Sequence, residues 1–488
     1  MMNSELRITN HQSPITNHQS PTPNLTLAAI LLAYVIFGGL YAALTPAWQA
    51  PDEPAHYNYI RFVAENHVLP ELTTGCYDQN LLSTLTTAKF RTGSVDAICY
   101  ENYQPPLYYL LAAPIFAVTG GSLLALRLFS VLLGGLSLVM IFRAADLFLP
   151  REIAAAATTF AAFVPMHLTM LAAVNNDSLA ELLLATFIFL LLEWIFRNDD
   201  SPAPWALGVV LGLILLTKVT VYTAIVLGAA GIWFASPKQW QTLAKNALRL
   251  YLPALALALP MFVRNLRVYG VPDVLGLHRH DLVVVGQLRT AGRLAQTGWA
   301  RYFSDLARTT FHSFWGQFGW MAVPMDTRVY TALTLISLLA VAGVLLWLGK
   351  NRPLPPKMRI GLLLLALQLA LVTAVFIGLN LSFVQFQGRY FFSALLPLGV
   401  IFGLGMREIL CRKNAFFGAA MASLALAGAV VFGGGGKWAM VIDGGAVAIF
   451  AVRHRLPDRL TGWLLAATLG GLAALAGVSV FWFIVPNL

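Results

Sequence analysis

The chain has 488 residues, of which 58% are hydrophobic and only 11% charged, with a mean hydropathy of +0.70. A soluble protein carries roughly a quarter charged residues, so a soluble fold is excluded, and recurring apolar runs of about 20 residues predict a polytopic membrane protein. The formal charge of +10 does not point to nucleic acid, because most Lys and Arg sit in short linkers between apolar runs, as the positive-inside rule expects.

Residues 1–24 are polar, and "ITNHQSP" occurs twice in tandem, at 8–14 and 15–21. This composition predicts a disordered tail without chemistry. No basic region and no small-residue cleavage site flank the first apolar run, 25–44, so that run is expected to be a retained helix and not a signal peptide.

A long polar loop follows, within the first outer region of about 45–121. Its start, "DEPAHYNYIRFVAENH" (52–67), has helical spacing and suits a helix lying along the membrane surface. Asp52 and His56 are i,i+4 neighbours there, and a carboxylate beside an imidazole suits general-base work on a hydroxyl. Asp52 equally suits an N-cap, with Glu53 favouring the helix dipole. Cys76 and Cys99 share this loop. They either pair, closing a loop of about 24 residues worth roughly 3 kcal/mol in the chain-entropy model, or stand as two free thiols. "ENYQPPLYYLL" (101–111), with Gln104 and Tyr108, is rich in aromatics and reads as an interfacial belt or a sugar- or lipid-binding surface. The apolar stretch 105–120 is expected not to cross, because counting it as a crossing would put the basic linkers outside.

Twelve more spans are expected, at about 122–142, 153–173, 178–196, 204–217, 219–235, 250–266, 328–349, 360–380, 391–406, 414–432, 438–452 and 461–485. That makes about thirteen, with the N-terminus inside and the C-terminus outside, and a second long outer loop at about 267–327. The fold class is all-α: a transmembrane helical bundle with two long outer loops. Chemistry is expected where charge sits on the outer side. Asp177 in "VNNDSL" either caps the apolar helix that follows or, sharing that side with Asp52, is with it a candidate for an active site or a cation site. Lys218 in "LLTKVT", Arg264 in "FVRNLRVYG" and Arg389 with Tyr390 in "FVQFQGRYFF" are cationic positions suited to phosphate oxygens, or to snorkelling toward head groups. "GGGGK" (433–437) reads as a flexible outer turn and lacks the Ser or Thr and the strand–helix context of a P-loop.

"PDEPAHY", "YQPPLYYLL", "NNDSL", "LLTK" and "QGRYFF" together, in this order and on one side, resemble the GT-C membrane glycosyltransferases over about residues 25–410. That superfamily includes protein O-mannosyltransferases and bacterial lipid A aminoarabinose transferases, and the resemblance is nearest to a bacterial branch of that type. It implies a catalytic module over 25–410, with residues 411–488 as further transmembrane helices that carry no readable motif. It also implies transfer of a sugar from a polyprenyl-phosphate-linked donor to an acceptor on the outer face of the cytoplasmic membrane, typically with inversion. Asp52 then matches the acid that activates the acceptor and Glu53 the second acid of the motif. Asp177 matches an acid that in some members helps bind a divalent cation (Mg or Mn, with Asp52 as the other ligand here), and Lys218 and Arg389 match contacts to donor phosphate. A flippase for lipid-linked sugars and a glycan polymerase or ligase are the other functions compatible with these residues.

Overall fold

The computed structural model describes residues 25–197, 203–236, 239–431 and 436–488. The polar tail with its tandem repeat, most of the "GGGGK" turn and parts of the linkers after Arg197 and Ser236 lie outside the described residues. Among the described residues the chain is helical apart from a two-stranded antiparallel ribbon, β1 (Gln317–Phe318) with β2 (Val323–Pro324).

The helices run in chain order as α1 (Leu25–Leu44), α2 (Glu53–Asn66), α3 (Gln79–Thr87), α4 (Leu107–Thr119), α5 (Leu123–Asp146), α6 (Arg151–Phe163), α7 (Pro165–Leu171) and α8 (Asp177–Arg197). They continue as α9 (Ala203–Leu215), α10 (Ala224–Ala235), α11 (Trp240–Tyr269), α12 (Leu277–Val283), α13 (Thr290–Trp315), α14 (Thr327–Lys350) and α15 (Pro356–Ser382). The last are α16 (Leu395–Ile409), α17 (Ala415–Val431), α18 (Gly436–Arg453) and α19 (Leu460–Ser479).

Each of the thirteen expected spans falls on helix, which establishes the all-α polytopic class. Their lengths differ from expectation. Among the described residues, eight helices are long and apolar enough to cross a membrane, or nine if one bent pair forms a single span. The segments 204–217 and 219–235 fold into α9 and α10, each about 20 Å long or less, against a hydrocarbon core of about 30 Å. The segment 153–173 is not one straight helix, because α6 and α7 meet at 69°. Pro165 offers no N–H to the preceding turn and drives Val164 into an extended conformation, which ends α6. His167 braces the bend, its ring bonded to the Ala161 carbonyl at 2.6 Å and to Glu181 on α8 at 2.7 Å.

Helix α5 is central and packs on α1, α6 and α8. Helices α14 and α16 cross closely, since a Cβ on Gly343 would lie 2.0 Å from the Gly405 carbonyl oxygen. Small residues of this kind let backbones touch where lipid supplies no hydrophobic drive for association.

The two long loops and the helices they carry share one face, called the loop face below. Leu72 and Cys76 of the first loop cluster with Val283 of the second, and Cys76 is bonded to Cys99. Helix α4, only 13 residues long, packs on α2 with the Tyr59 and Tyr109 rings stacked at 3.6 Å. Within the stretch 105–120, α4 is thus shorter than a crossing length.

Candidate active site

A cavity of about 1130 Å³ opens at the loop face, between the first loop, the start of α8, the break between α9 and α10, and the 382–393 segment. Asp52, His56, Gln104, Asp177, Lys218, Arg389 and Tyr390 all line it. Seven sequence-predicted site residues, drawn from five stretches of chain, therefore converge on one space.

Asp52 stands at the N-cap of α2, but its side chain does not cap the helix. Its backbone is left-handed (φ 67°), a conformation Asp tolerates better than most residues and one that clusters at functional sites. The carboxylate turns into the cavity. Arg389 donates to Oδ2 at 2.6 Å and the Tyr100 hydroxyl to Oδ1 at 2.7 Å. Burial alone would raise this carboxyl, but the Arg389 guanidinium, with His56 and Tyr100, holds it down at about 2.

Arg389 reaches this point because Gly388 lies against α13. A Cβ there would sit 2.3 Å from the Phe314 nitrogen, while the Gly388 N–H donates to Ser313 Oγ at 2.8 Å. The glycine in "QGRYFF" is thus a packing requirement that places the arginine. Tyr390 donates to Gln385 Oε1 at 3.3 Å on the same wall.

A second ion pair faces the same space. Lys218 interrupts α9 and α10 in an extended conformation, and its ammonium lies 2.6 Å from Asp177 Oδ1. The expectation that Asp177 caps α8 gives way to this pairing, with the Asp177 N–H itself donating to Asn175 Oδ1 at 2.6 Å. His56 shares a 2.8 Å hydrogen bond with the Tyr109 hydroxyl through Nδ1. Burial, reinforced by Lys218, pushes its imidazole down to about 3, so it stands neutral near pH 7.

Three predicted residues lie elsewhere. Glu53 is fully buried and does not line the cavity. Arg127 of α5 grips it through Nε at 2.8 Å and Nη2 at 2.7 Å, and the Trp48 and Val174 N–H groups donate to it at 3.1 Å each. With both oxygens engaged it cannot take a substrate proton; it ties the α1–α2 turn to α5 and to the loop before α8. Tyr108 is also fully buried, bonded to Ser130 Oγ at 2.8 Å. Arg264 of α11 donates to the Leu69 and Pro70 carbonyls at 3.2 and 2.5 Å, holding the first loop and not a substrate.

The residues do not fit the divalent cation expected at Asp52 and Asp177. Each carboxylate is directed at a fixed cation of the chain, and among the described residues no group of three or more His, Cys, Asp or Glu side chains is placed to hold a metal.

Sequence reasoning missed Tyr100, Glu101, Glu181 and the glutamines Gln385 and Gln387, all of which line the cavity. Glu101 had a usable signal, as a lone acid three residues before Gln104 in "CYENYQPP". The aromatic density of that stretch drew the reading toward a membrane belt.

The sequence model of the dolichyl-phosphate-mannose-protein mannosyltransferase family matches residues 103–266, about a third of the chain. A search of curated proteins finds no match. The structure is similar to that of ArnT from Cupriavidus metallidurans bound to undecaprenyl phosphate. The TM-score is 0.50 at 16% identity, with 94% of this chain and 77% of that one covered. The apo form of the same ArnT gives 0.50 at 15% identity, covering 93% and 76%. The apo oligosaccharyltransferase of Archaeoglobus fulgidus gives 0.44 at 14%, covering 92% of this chain and 56% of that one. The motifs of the loop face, the family match and the ArnT-like architecture agree, and the chain has the fold of the GT-C membrane glycosyltransferases.

Proposed function

We propose that this protein is a membrane glycosyltransferase that moves a sugar from a polyprenyl-phosphate donor to an acceptor at the loop face, with inversion. One observation carries the reading: two cations, Arg389 and Lys218, face one loop-face cavity, each held by a carboxylate (Asp52 and Asp177). The mannosyltransferase family match and the likeness to an ArnT solved with undecaprenyl phosphate support it. The positions of the cations argue against a flippase, which needs charges spaced along the transport path through the membrane.

As the bond from the anomeric carbon to phosphate oxygen breaks, negative charge grows on the leaving phosphate. Arg389 and Lys218 are preorganised to receive it, in a site where water competes poorly. Asp52, with both oxygens engaged, aims Arg389 and does not start as a free base. His56, neutral and fixed by Tyr109, keeps Nε2 for a sugar or acceptor hydroxyl. The basic linkers support a cytoplasmic opposite face, with the loop face and the C-terminus outside the cytoplasmic membrane.

The test is transfer from labelled undecaprenyl-phosphate sugars by the purified protein in lipid, compared with Asp52→Asn. The substitution keeps the shape but removes the charge that orients Arg389, and is expected to slow transfer by about 10²-fold, the scale of a misplaced reacting group. Equal rates in the two proteins would remove Asp52 from the site's working parts. Binding of undecaprenyl phosphate without turnover of any sugar would move the reading to transport.

A further inference from the structure

Five carboxylates line the cavity: Asp52, Glu101, Asp177, Glu181 and Asp281. Four have a cationic or imidazole partner. Asp52 is on Arg389 at 2.6 Å, Asp177 on Lys218 at 2.6 Å and Glu181 on His167 at 2.7 Å. Asp281, half-exposed at the rim, lies within 4.0 Å of both His280 and Arg289. Glu101 differs. It is 9% exposed, its Oε2 accepts one hydrogen bond from the Gln104 amide at 2.8 Å, and among the described residues no group bonds to Oε1. Gln104 is itself held from the other side, its Oε1 accepting from Asn176 at 3.4 Å. A buried, cavity-lining carboxylate bonded only to a neutral amide, with no cation or imidazole paired to its charge, is suited to accept a proton.

We propose, on the transferase reading above, that Glu101 is the general base and that the acceptor is therefore a neutral hydroxyl, not a phosphate or other anion. The acceptor O–H proton passes to Glu101 Oε1 as the oxygen bonds to the anomeric carbon. The bond from that carbon to the donor's phosphate oxygen breaks at the same time, and its electron pair leaves with the polyprenyl phosphate. Charge supports the acceptor class. The lining offers only Lys218 and Arg389 as fixed cations, and the donor phosphate takes both. An anionic acceptor would then face five carboxylates with no unengaged Lys or Arg of the lining to offset them, and it would need no base.

The groups that face Glu101 agree with this role. Burial, and next the Asp52 charge, raise its carboxyl to about 7, against the smaller opposing pull of Lys218, Gln104 and Arg389. Tyr100 and Tyr103 on the same loop, and Tyr109 on α4, have hydroxyls pushed well above their ordinary range by burial, so they stay neutral beside it. A base near neutrality is effective at physiological pH, while Asp52 at about 2 is a weak one.

The experiment measures transfer from undecaprenyl-phosphate hexose to a short-chain alkyl glycoside against pH, for wild type, Glu101→Gln and Glu101→Asp, with an alkyl phosphate as competing acceptor. The wild-type rate is expected to rise through about pH 7 and then level. Glu101→Gln is expected to fall by about 10²–10⁴-fold, the usual range for loss of a general base, and to lose that rise while the donor KM changes little. Glu101→Asp is expected to recover part of the rate together with the rise, which a packing role would not produce. Glu101→Gln with the wild-type pH profile overturns the proposal, as does efficient transfer to the alkyl phosphate. Failure of wild type with every lipid-linked sugar overturns the transferase reading itself, and is distinguished by the wild-type arm alone.

Discussion

Arg389→Ala is expected to lower kcat for transfer by about 10²–10³-fold, the loss typical of removing one preorganised donor from the site of developing charge. Arg389→Lys should recover only part of it, because an ammonium is a point charge and cannot present two parallel N–H groups to phosphate and carboxylate. The effect should appear in kcat at saturating donor, not only in KM, since the leaving phosphate gains charge as the bond breaks. The substitution also strips Asp52 of its cation, so a carboxyl held at about 2 moves back toward its ordinary 3.8. The sign follows from linkage. A depressed carboxyl contributes stability that is complete above its unfolded value and lost as pH falls through its folded one. Wild type should therefore lose this contribution between about pH 4 and pH 2, whereas Arg389→Ala lacks it already at neutral pH. Steady-state transfer at fixed pH, with unfolding midpoints at pH 7 and pH 3, checks both parts. A kcat within twofold of wild type would place the leaving phosphate elsewhere.

Glu53→Gln should damage stability and spare the chemistry. The Glu53–Arg127 pair is buried on both sides, and Arg127 also donates to the Ala42, Thr45 and Pro46 carbonyls at 3.0, 2.6 and 3.1 Å. Breaking such a pair from one side leaves a buried charge without its partner and costs about 3–5 kcal/mol. A clear fall in unfolding midpoint is expected, with the surviving folded fraction keeping the wild-type donor KM and pH profile. Loss of transfer at unchanged stability would instead return Glu53 to the acid–base machinery, as its place in "PDEPAHY" suggested. The two neighbouring acids of one motif thus separate by experiment: Asp52 acts in the cavity and Glu53 underneath it.

Much of the fold was legible. Apolar length and the placement of Lys and Arg reported the helices, because lipid forces every backbone group into an internal hydrogen bond. The break at Val164–Pro165 was written in the sequence too, but continuous hydropathy across 153–173 masked it. Hydropathy also does not register that α9 and α10 stop short of a full crossing, since a buried helix and a spanning one have the same composition.

The site was legible in part, for a reason visible in its pairs. Asp52 and Arg389 are 337 positions apart, and Asp177 and Lys218 are 41 apart. Each was a charge on the outer side of a membrane protein, and that placement, with the order of the motifs, marked it. Arg264 carried the same mark and serves a loop instead, because two loop carbonyls can occupy guanidinium N–H groups without any ligand.

The sequence by itself determined that this is a helical membrane protein and singled out Asp52, His56, Asp177, Lys218 and Arg389, all of which line one cavity. Composition and sidedness act locally, so a linear reading captures them. Only the tertiary structure decided which cavity carboxylates are paired with a cation or an imidazole and which one, Glu101, has only the Gln104 amide. That choice rests on contacts of a few ångströms between segments far apart in the chain, and partner geometry of that kind has no periodicity to read.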